Sequence, residues 1–334
     1  MLKFLVFADL HYKKGMYAVG IQHLNAIFDR AAAENVDFVV HLGDLCNDYK
    51  GSPELMEAYL HNPHGLPVYG IYGNHELESR GNTMEVVTPL LCNRDVVFAE
   101  DGVGYWYTDI KGYRLIGLDT NYSYNEELQA WEHNREASWG APAGNRLDHS
   151  LSPRQLSWLD QVLADAAAQG KKALVLSHAA LSGQWYSSPD APAVRELFYK
   201  HQGTVFMAIN GHLHSDHFAV IDGVAYFDVH TVYNGCWRPK DSYHYDDSHT
   251  YSFTDYDSQG NPLETRDVPL NSLKQGKNTW YFEAPLSAVV TISDTGAITI
   301  DGSRTAWMHN VVPENLPECY HPQISSIQVG AASV

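Results

Sequence analysis

Short apolar runs alternate with amphipathic stretches through the first seventy residues of this chain. Residues 2–8 (LKFLVFA) form an apolar run rich in strand formers, which gives way at once to Asp9-Leu10-His11. Residues 17–34 then carry Ile21, Leu24, Ile27, Phe28 and Ala31 at helical spacing. Residues 36–41 (VDFVVH) predict a second strand, ending at Gly43-Asp44. A helix is expected over residues 53–60, with Ser52 as N-cap and Pro53 at the first helical position. Residues 67–72 predict a third strand, followed by Gly73-Asn74-His75-Glu76. Strands joined by helical crossovers imply parallel pairing.

The middle of the chain changes character. Residues 104–109 and 113–119 alternate around Lys111-Gly112, a hairpin signal. Residues 121–148 are polar and aromatic (Tyr122, Tyr124, Trp131, Trp139) without clean periodicity, as expected of a functional lid or rim. Ser152-Pro153 opens an amphipathic helix through Leu156, Leu159, Val162 and Leu163. Residues 173–177 predict a buried strand ending at His178, residues 193–201 a helix, and residues 204–210 a strand ending at Gly211-His212-Leu213-His214. Residues 218–221 and 224–229 flank the turn dipeptide Asp222-Gly223. From 233 to 277 the sequence reads as a polar loop, and residues 288–293 and 297–301 surround a further turn at Asp294-Thr295-Gly296. The expected organisation is a core over 1–235, with 121–150 as a lid or rim insertion. Residues 236–334 then form a loop-rich segment and a C-terminal β-extension packed on the same domain, because so short a tail is small for an independent unit. The strand pattern by itself predicts an α/β protein with a single doubly wound sheet.

Composition narrows the partners. The chain has 334 residues, 44% hydrophobic and 19% charged, with a formal net charge of −18. That balance argues against a long nucleic acid as partner, which needs clustered Lys and Arg, and against anionic membrane surfaces. Bound metal ions could still create a local positive field for a small anion. The four cysteines show no CxxC pair, which fits a reducing compartment. Residues 2–8 are too short for an export signal and no apolar run approaches the ~20 residues of a membrane helix, so a soluble, cytoplasmic protein is expected.

Five polar clusters carry the candidate chemistry: Asp9-Leu10-His11, Gly43-Asp44, Gly73-Asn74-His75-Glu76, His178 and Gly211-His212-Leu213-His214. Each follows a predicted strand, where ligands gather in open α/β sheets. Residues i and i+2 of a strand share a side, so Asp9 with His11, and His212 with His214, can each converge on one locus. Imidazole and carboxylate together suit Mn, Fe or Zn, whereas an all-oxygen set would suggest Mg or Ca. One carboxylate must bridge, and Asp44 is the natural candidate. Two ions ~3.5–4 Å apart can hold a hydroxide and the equatorial oxygens of a phosphoryl group, which makes phosphoester hydrolysis the reaction class.

In this order the clusters resemble the calcineurin-like metallophosphoesterases, over residues 9–214. The resemblance implies a four-layer α/β/β/α sandwich of two packed sheets flanked by helices. It also implies that Asp9, His11, Asp44 and His214 hold one metal, and that Asp44, Asn74, His178 and His212 hold the other. His75 would then be no ligand but a substrate-facing group that assists the leaving oxygen, with an ordinary pKa suited to that task. Protein Ser/Thr phosphatases follow the acidic residue directly with Ser-Arg, whereas here Leu77 and Glu78 precede Ser79-Arg80. Arg80 is a candidate substrate contact, and so is His230, which ends a strand beyond the last cluster. The spacing resembles the bacterial cyclic-nucleotide phosphodiesterase branch. The expected substrate is a small phosphodiester or nucleotide, attacked by a metal-bridging hydroxide. The rival readings are a phosphomonoesterase with the same site, and a non-catalytic scaffold of the same fold, which should lack ligands or the substrate-facing histidine.

Overall fold

The computed structural model describes residues 1–48, 52–78, 84–99, 104–133, 149–184, 187–237, 245–276 and 279–331. Strand β1 (Leu2–Phe7), helix α1 (Ile21–Ala33), strand β2 (Phe38–His41), helix α2 (Pro53–Leu60) and strand β3 (Val68–Gly70) follow the predicted order. The three strands pair in parallel, with Phe4 beside Phe38 and Val39 beside Val68. Helix α1 starts at Ile21 because Gly20 is extended there and donates its N–H to His23 Nδ1 at 3.0 Å. Residues 17–20 are therefore left in a loop beside His11.

Two short helices, α3 (His75–Glu78) and α4 (Met84–Val87), lead to strands β4 (Val97–Phe98), β5 (Trp106–Ile110) and β6 (Tyr113–Gly117). Lys111 and Gly112 both take positive φ (49° and 84°), as a tight hairpin requires. The predicted rim contains a hairpin of its own, β7 (Tyr122–Asn125) and β8 (Ala130–His133); Trp139 lies outside the described residues. Helix α5 (Pro153–Ala168) begins where the sequence places it, with Ser152 Oγ accepting from Gln155 N. Strand β9 (Lys172–Ser177), helix α6 (Ala191–Lys200) and strands β10 (Val205–Asn210), β11 (His217–Ile221) and β12 (Val224–Asp228) complete the second half.

The strands divide between two sheets, as the family resemblance implies and the strand pattern alone does not. One has the order β11-β12-β10-β9-β6-β5-β4, its four strands β12, β10, β9 and β6 running parallel. Alternation along these strands feeds two cores. Leu174, Leu176, Met207, Ile209, Ala225 and Phe227 face the first sheet. Their neighbours Val175, Ala208 and Tyr226 pack instead on Leu159, Val162 and Leu163 of α5 and Val194 and Phe198 of α6. Helix α1 covers the outer face of the first sheet through Leu24, Ile27 and Phe28, completing the four layers.

Beyond residue 233 the structure departs from the loop-like expectation. It forms β13 (Asn234–Trp237), β14 (Thr250–Tyr256), β15 (Pro262–Pro269) and β16 (Thr279–Tyr281), with β14 pairing β15 and β13 pairing β16. Tyr251 and Phe253 are buried on one side of β14 while Ser252 between them is exposed, a period-2 pattern hidden in polar composition. The tail supplies β17 (Ala288–Ile292), β18 (Ile298–Gly302) and β19 (Ile327–Val329), which extend the first sheet to the order β19-β18-β17-β1-β2-β3. Leu2 thus pairs with Ile292, antiparallel. Among the described residues no helix is long and apolar enough to cross a membrane.

Candidate metal centre

All five clusters meet where β1, β2, β3, β9 and β10 end. The turns that bring them together are sharp: φ is positive at Asp9 (58°), His11 (52°), Asp44 (57°), His212 (69°) and His214 (48°). Left-handed backbone is uncommon for non-glycine residues and costs about 1–3 kcal/mol where it is strained. Interlocked hydrogen bonds hold it. Asp9 N donates to Gly43 O (3.1 Å) and His11 N to Asp44 O (2.9 Å). His212 N donates to Asp9 Oδ2 (3.0 Å), His75 N to Asp44 Oδ1 (2.8 Å), and Thr231 Oγ1 to Asp9 O (2.7 Å). Glu76 is the hub: its carboxylate accepts from Asp44 N and Leu45 N, both at 2.7 Å, and from Gly73 N. Gly43 (φ 93°) has no room for a side chain, since a Cβ would lie 2.5 Å from both Gly73 N and His178 Nδ1.

These bonds occupy one oxygen of each aspartate and leave the other facing imidazoles. Asp9 Oδ1 is buried without a hydrogen-bond partner, 3.4 Å from His214 Nε2 and 3.8 Å from His11 Nε2. Those two nitrogens are 3.0 Å apart. Asp44 Oδ2 lies 3.8 Å from His11 Nε2, 3.9 Å from His75 Nε2 and 3.4 Å from His178 Nε2. Asn74 Oδ1 is 3.2 Å from His178 Nε2. Three groups of donors, each within 4.8 Å of one another, result: Asp9 with His11 and His214, His11 with Asp44 and His75, and Asp44 with His178 and His212. Ligands roughly 2.1 Å from a tetrahedral ion are themselves about 3.4 Å apart, so the spacing fits metal coordination. Asp44 belongs to both halves.

Charge and tautomer agree with that fit. His178 Nδ1 lies 2.7 Å from Leu42 O, so it carries a proton and leaves Nε2 directed toward Asp44. Burial holds His11 and His212 well below the ordinary imidazole range, as neutral ligands must be. Burial pushes the Asp44 carboxyl up, but His178 and His75 outweigh it and keep it ionised, well below the usual range. Burial likewise lowers His178, yet Asp44 lifts it to about 10. The two charges cancel, and the His178 proton facing Asp44 lies at the point where a cation would take its place.

Residues 2–216 match the family model described as calcineurin-like phosphoesterase. The chain belongs to that family. It is 24% identical over 225 residues to a manganese-dependent ADP-ribose/CDP-alcohol diphosphatase of Bos taurus, covering 53% of this chain and 67% of the relative. The protein of the same name from Arabidopsis thaliana is 24% identical over 233 residues, covering 60% of this chain and 70% of the relative. Among solved structures, a dimetal phosphatase from Danio rerio has the same fold, with a TM-score of 0.52 at 15% identity over 92% of this chain and 98% of that one. This calcineurin-like phosphoesterase is accordingly a phosphoric ester hydrolase, and its three donor groups have the composition and spacing to hold metal ions.

The structure brings Asp9, His11, Asp44, Asn74, His75, His178, His212 and His214 to one locus. Arg80 lies outside the described residues. His230 is fully buried behind this locus, its ring 5.3 Å from that of Phe282, and burial lowers it to about 3. Sequence reasoning missed Glu76 as a clamp and His149 as a neighbour. His149 also has positive φ (49°), and its ring centroid is 4.2 Å from that of His212. Its only sequence signal is a histidine just ahead of the Ser152 helix cap. A second pair sits nearby: Asp119 Oδ2 is 2.6 Å from His133 Nε2, and the His133 ring packs edge-on against Tyr72 and Tyr122. That pair ties the β7–β8 hairpin to the loop after β6.

Proposed function

We propose that this phosphoesterase hydrolyses the phosphate linkage of a small nucleotide-like diester or diphosphate, using manganese. The observation that carries the reading is Asp44 Oδ2, poised between two groups of imidazole donors. Asp9, His11, Asp44 and His214 would hold one ion, and Asp44, Asn74, His178 and His212 the other. The ions supply Lewis acidity and a positive field for the phosphoryl group. The protein's own part is positioning. Glu76 fixes the two loops that carry Asp44 and Asn74, and Leu42 O fixes the His178 ring.

His75 sits at the edge of the centre, with 9% of its surface exposed and its ring 4.8 Å from that of His11. We assign it the proton that the departing oxygen needs. His75→Ala is expected to lower kcat by about 10²–10⁴-fold, the usual worth of general acid–base assistance. Metal content should stay at two ions per chain; loss of metal would make His75 a ligand instead.

The nucleotide class rests on the two diphosphatases at 24% identity. The net charge of −18 favours a small substrate over a long nucleic acid, and a cytoplasmic setting is consistent with the cysteine pattern. Mn-loaded enzyme should turn over ADP-ribose and bis(p-nitrophenyl) phosphate faster than p-nitrophenyl phosphate, and chelation should abolish all three activities. Preference for the monoester would favour the phosphomonoesterase reading. No turnover with any divalent metal would leave the scaffold reading.

A further inference from the structure

The donors of the centre leave a gap in its chemistry. Among the described residues, the cationic partners of Asp9 and Asp44 are histidines; no Lys or Arg pairs with either. Among the described residues, the N–H donors placed to meet phosphate oxygens that the ions do not take are therefore imidazoles. His75 stands beside His11, on the Asp9 side. On the far side, against His212, stands His149.

We propose that His149 is a second substrate-contacting histidine, which donates a ring N–H to a phosphate oxygen over the Asp44–Asn74–His178–His212 half. The inference rests on the two-ion reading of the site. Three observations support it. The ring packs 4.2 Å from His212, yet its nitrogens belong to none of the three metal-donor groups, so it flanks the ligands without joining them. Its Nδ1 is buried without a hydrogen-bond partner among the described residues, although the side chain is only 9% exposed. A buried ring nitrogen with no protein partner normally costs stability, unless something else satisfies it.

The third observation is rigidity. Ser150 exchanges both backbone hydrogen bonds with Tyr122, at 3.1 and 3.2 Å, and Leu151 N donates to Asp190 Oδ2 at 2.8 Å. Ser152 then caps α5. His149 thus immediately precedes a bridge to the β7–β8 hairpin and the start of a helix, in the same left-handed backbone as five of the ligands. Side chains held this way can be pre-organised for a ligand rather than recruited by it.

The test uses full-length, Mn-loaded protein and two substitutions. His149→Phe keeps a ring against His212 but removes both nitrogens; His149→Gln keeps an N–H donor. Mn per chain is measured by metal analysis, and inorganic phosphate binding by calorimetry. Wild type should bind phosphate, and His149→Phe should bind it about ten- to a hundredfold more weakly, the range for a hydrogen bond to a charged group. Mn content should be unchanged, and His149→Gln should recover part of the affinity. Phosphate affinity within about twofold of wild type in His149→Phe, loss of Mn in both variants, or failure of Gln to improve on Phe would each overturn the proposal. Phosphate is common to every substrate considered, so failure of ADP-ribose turnover would sink the nucleotide reading while leaving this test readable.

Discussion

Asp44→Ala is expected to abolish measurable turnover, with a loss of about 10³-fold or more. Asp44 Oδ2 faces His11 on one side and His178 on the other, so one substitution removes a donor from both halves. It also removes the anion that lifts His178, and two imidazoles would then face each other across an uncompensated gap. A metal pair contributes several kcal/mol of transition-state charge stabilisation, and each ~1.4 kcal/mol is a factor of ten in rate. Metal analysis of the variant should find fewer than one ion held per chain, against two in wild type. By contrast the unpaired oxygen of Asp9 serves one half, through His11 and His214, while its other oxygen only accepts from the His212 backbone. Asp9→Ala should retain more metal than Asp44→Ala; equal loss from both would mean that Asp44 does not bridge.

Much of the centre was legible because its ligands follow strands at short, fixed offsets. Asp9 and His11, two apart after β1, do join one donor group, whereas His212 and His214, two apart after β10, fall in different groups because left-handed turns replace strand alternation there. Boundaries were legible where a cap or turn residue marks them, as at Ser152-Pro153 and Lys111-Gly112. What could not be read is long-range. Nothing local in residues 288–292 says that they will pair antiparallel with β1, nearly the whole chain away. Nor does a parallel strand announce which of two sheets it joins; β3 and β6 are both short and apolar, yet sit on different sheets.

The β14–β15 hairpin was misread for a different reason. Frequent Asp, Ser and Gly give this segment a loop-like composition that outweighs its Tyr, and only the burial of Tyr251 and Phe253 reveals the alternation. His149 was invisible because its approach to His212 spans more than sixty residues and depends on the Ser150–Tyr122 bridge. The pattern is consistent: contacts set by the period of one element can be read from sequence, and those set by the meeting of two elements cannot.

Glu76→Ala should have the largest effect on folding, although Glu76 faces neither solvent nor substrate. Three backbone N–H groups, of Asp44, Leu45 and Gly73, end on its carboxylate. The residue is fully buried, so no water replaces the lost oxygens. Each buried donor left without a partner costs about 1–3 kcal/mol, so the sum is on the order of 4 kcal/mol, a large share of a typical domain's stability. Burial and the neighbouring Asp44 charge already raise the Glu76 carboxyl to about 7, against the pull of the three donors. The protein therefore keeps this acid where its charge is costly, because one carboxylate ties the Gly43-Asp44 turn to the Gly73-Asn74 turn. Glu76→Gln retains one carbonyl oxygen as acceptor but turns an NH2 toward a backbone donor, and should fall between wild type and Glu76→Ala. Thermal unfolding of the metal-free protein isolates this term from any change in metal affinity. If Glu76→Ala unfolds at the same temperature as wild type once metal is removed, the clamp is not what holds these turns, and their left-handed backbone must be fixed by the Asp9–Gly43 and His11–Asp44 bonds alone.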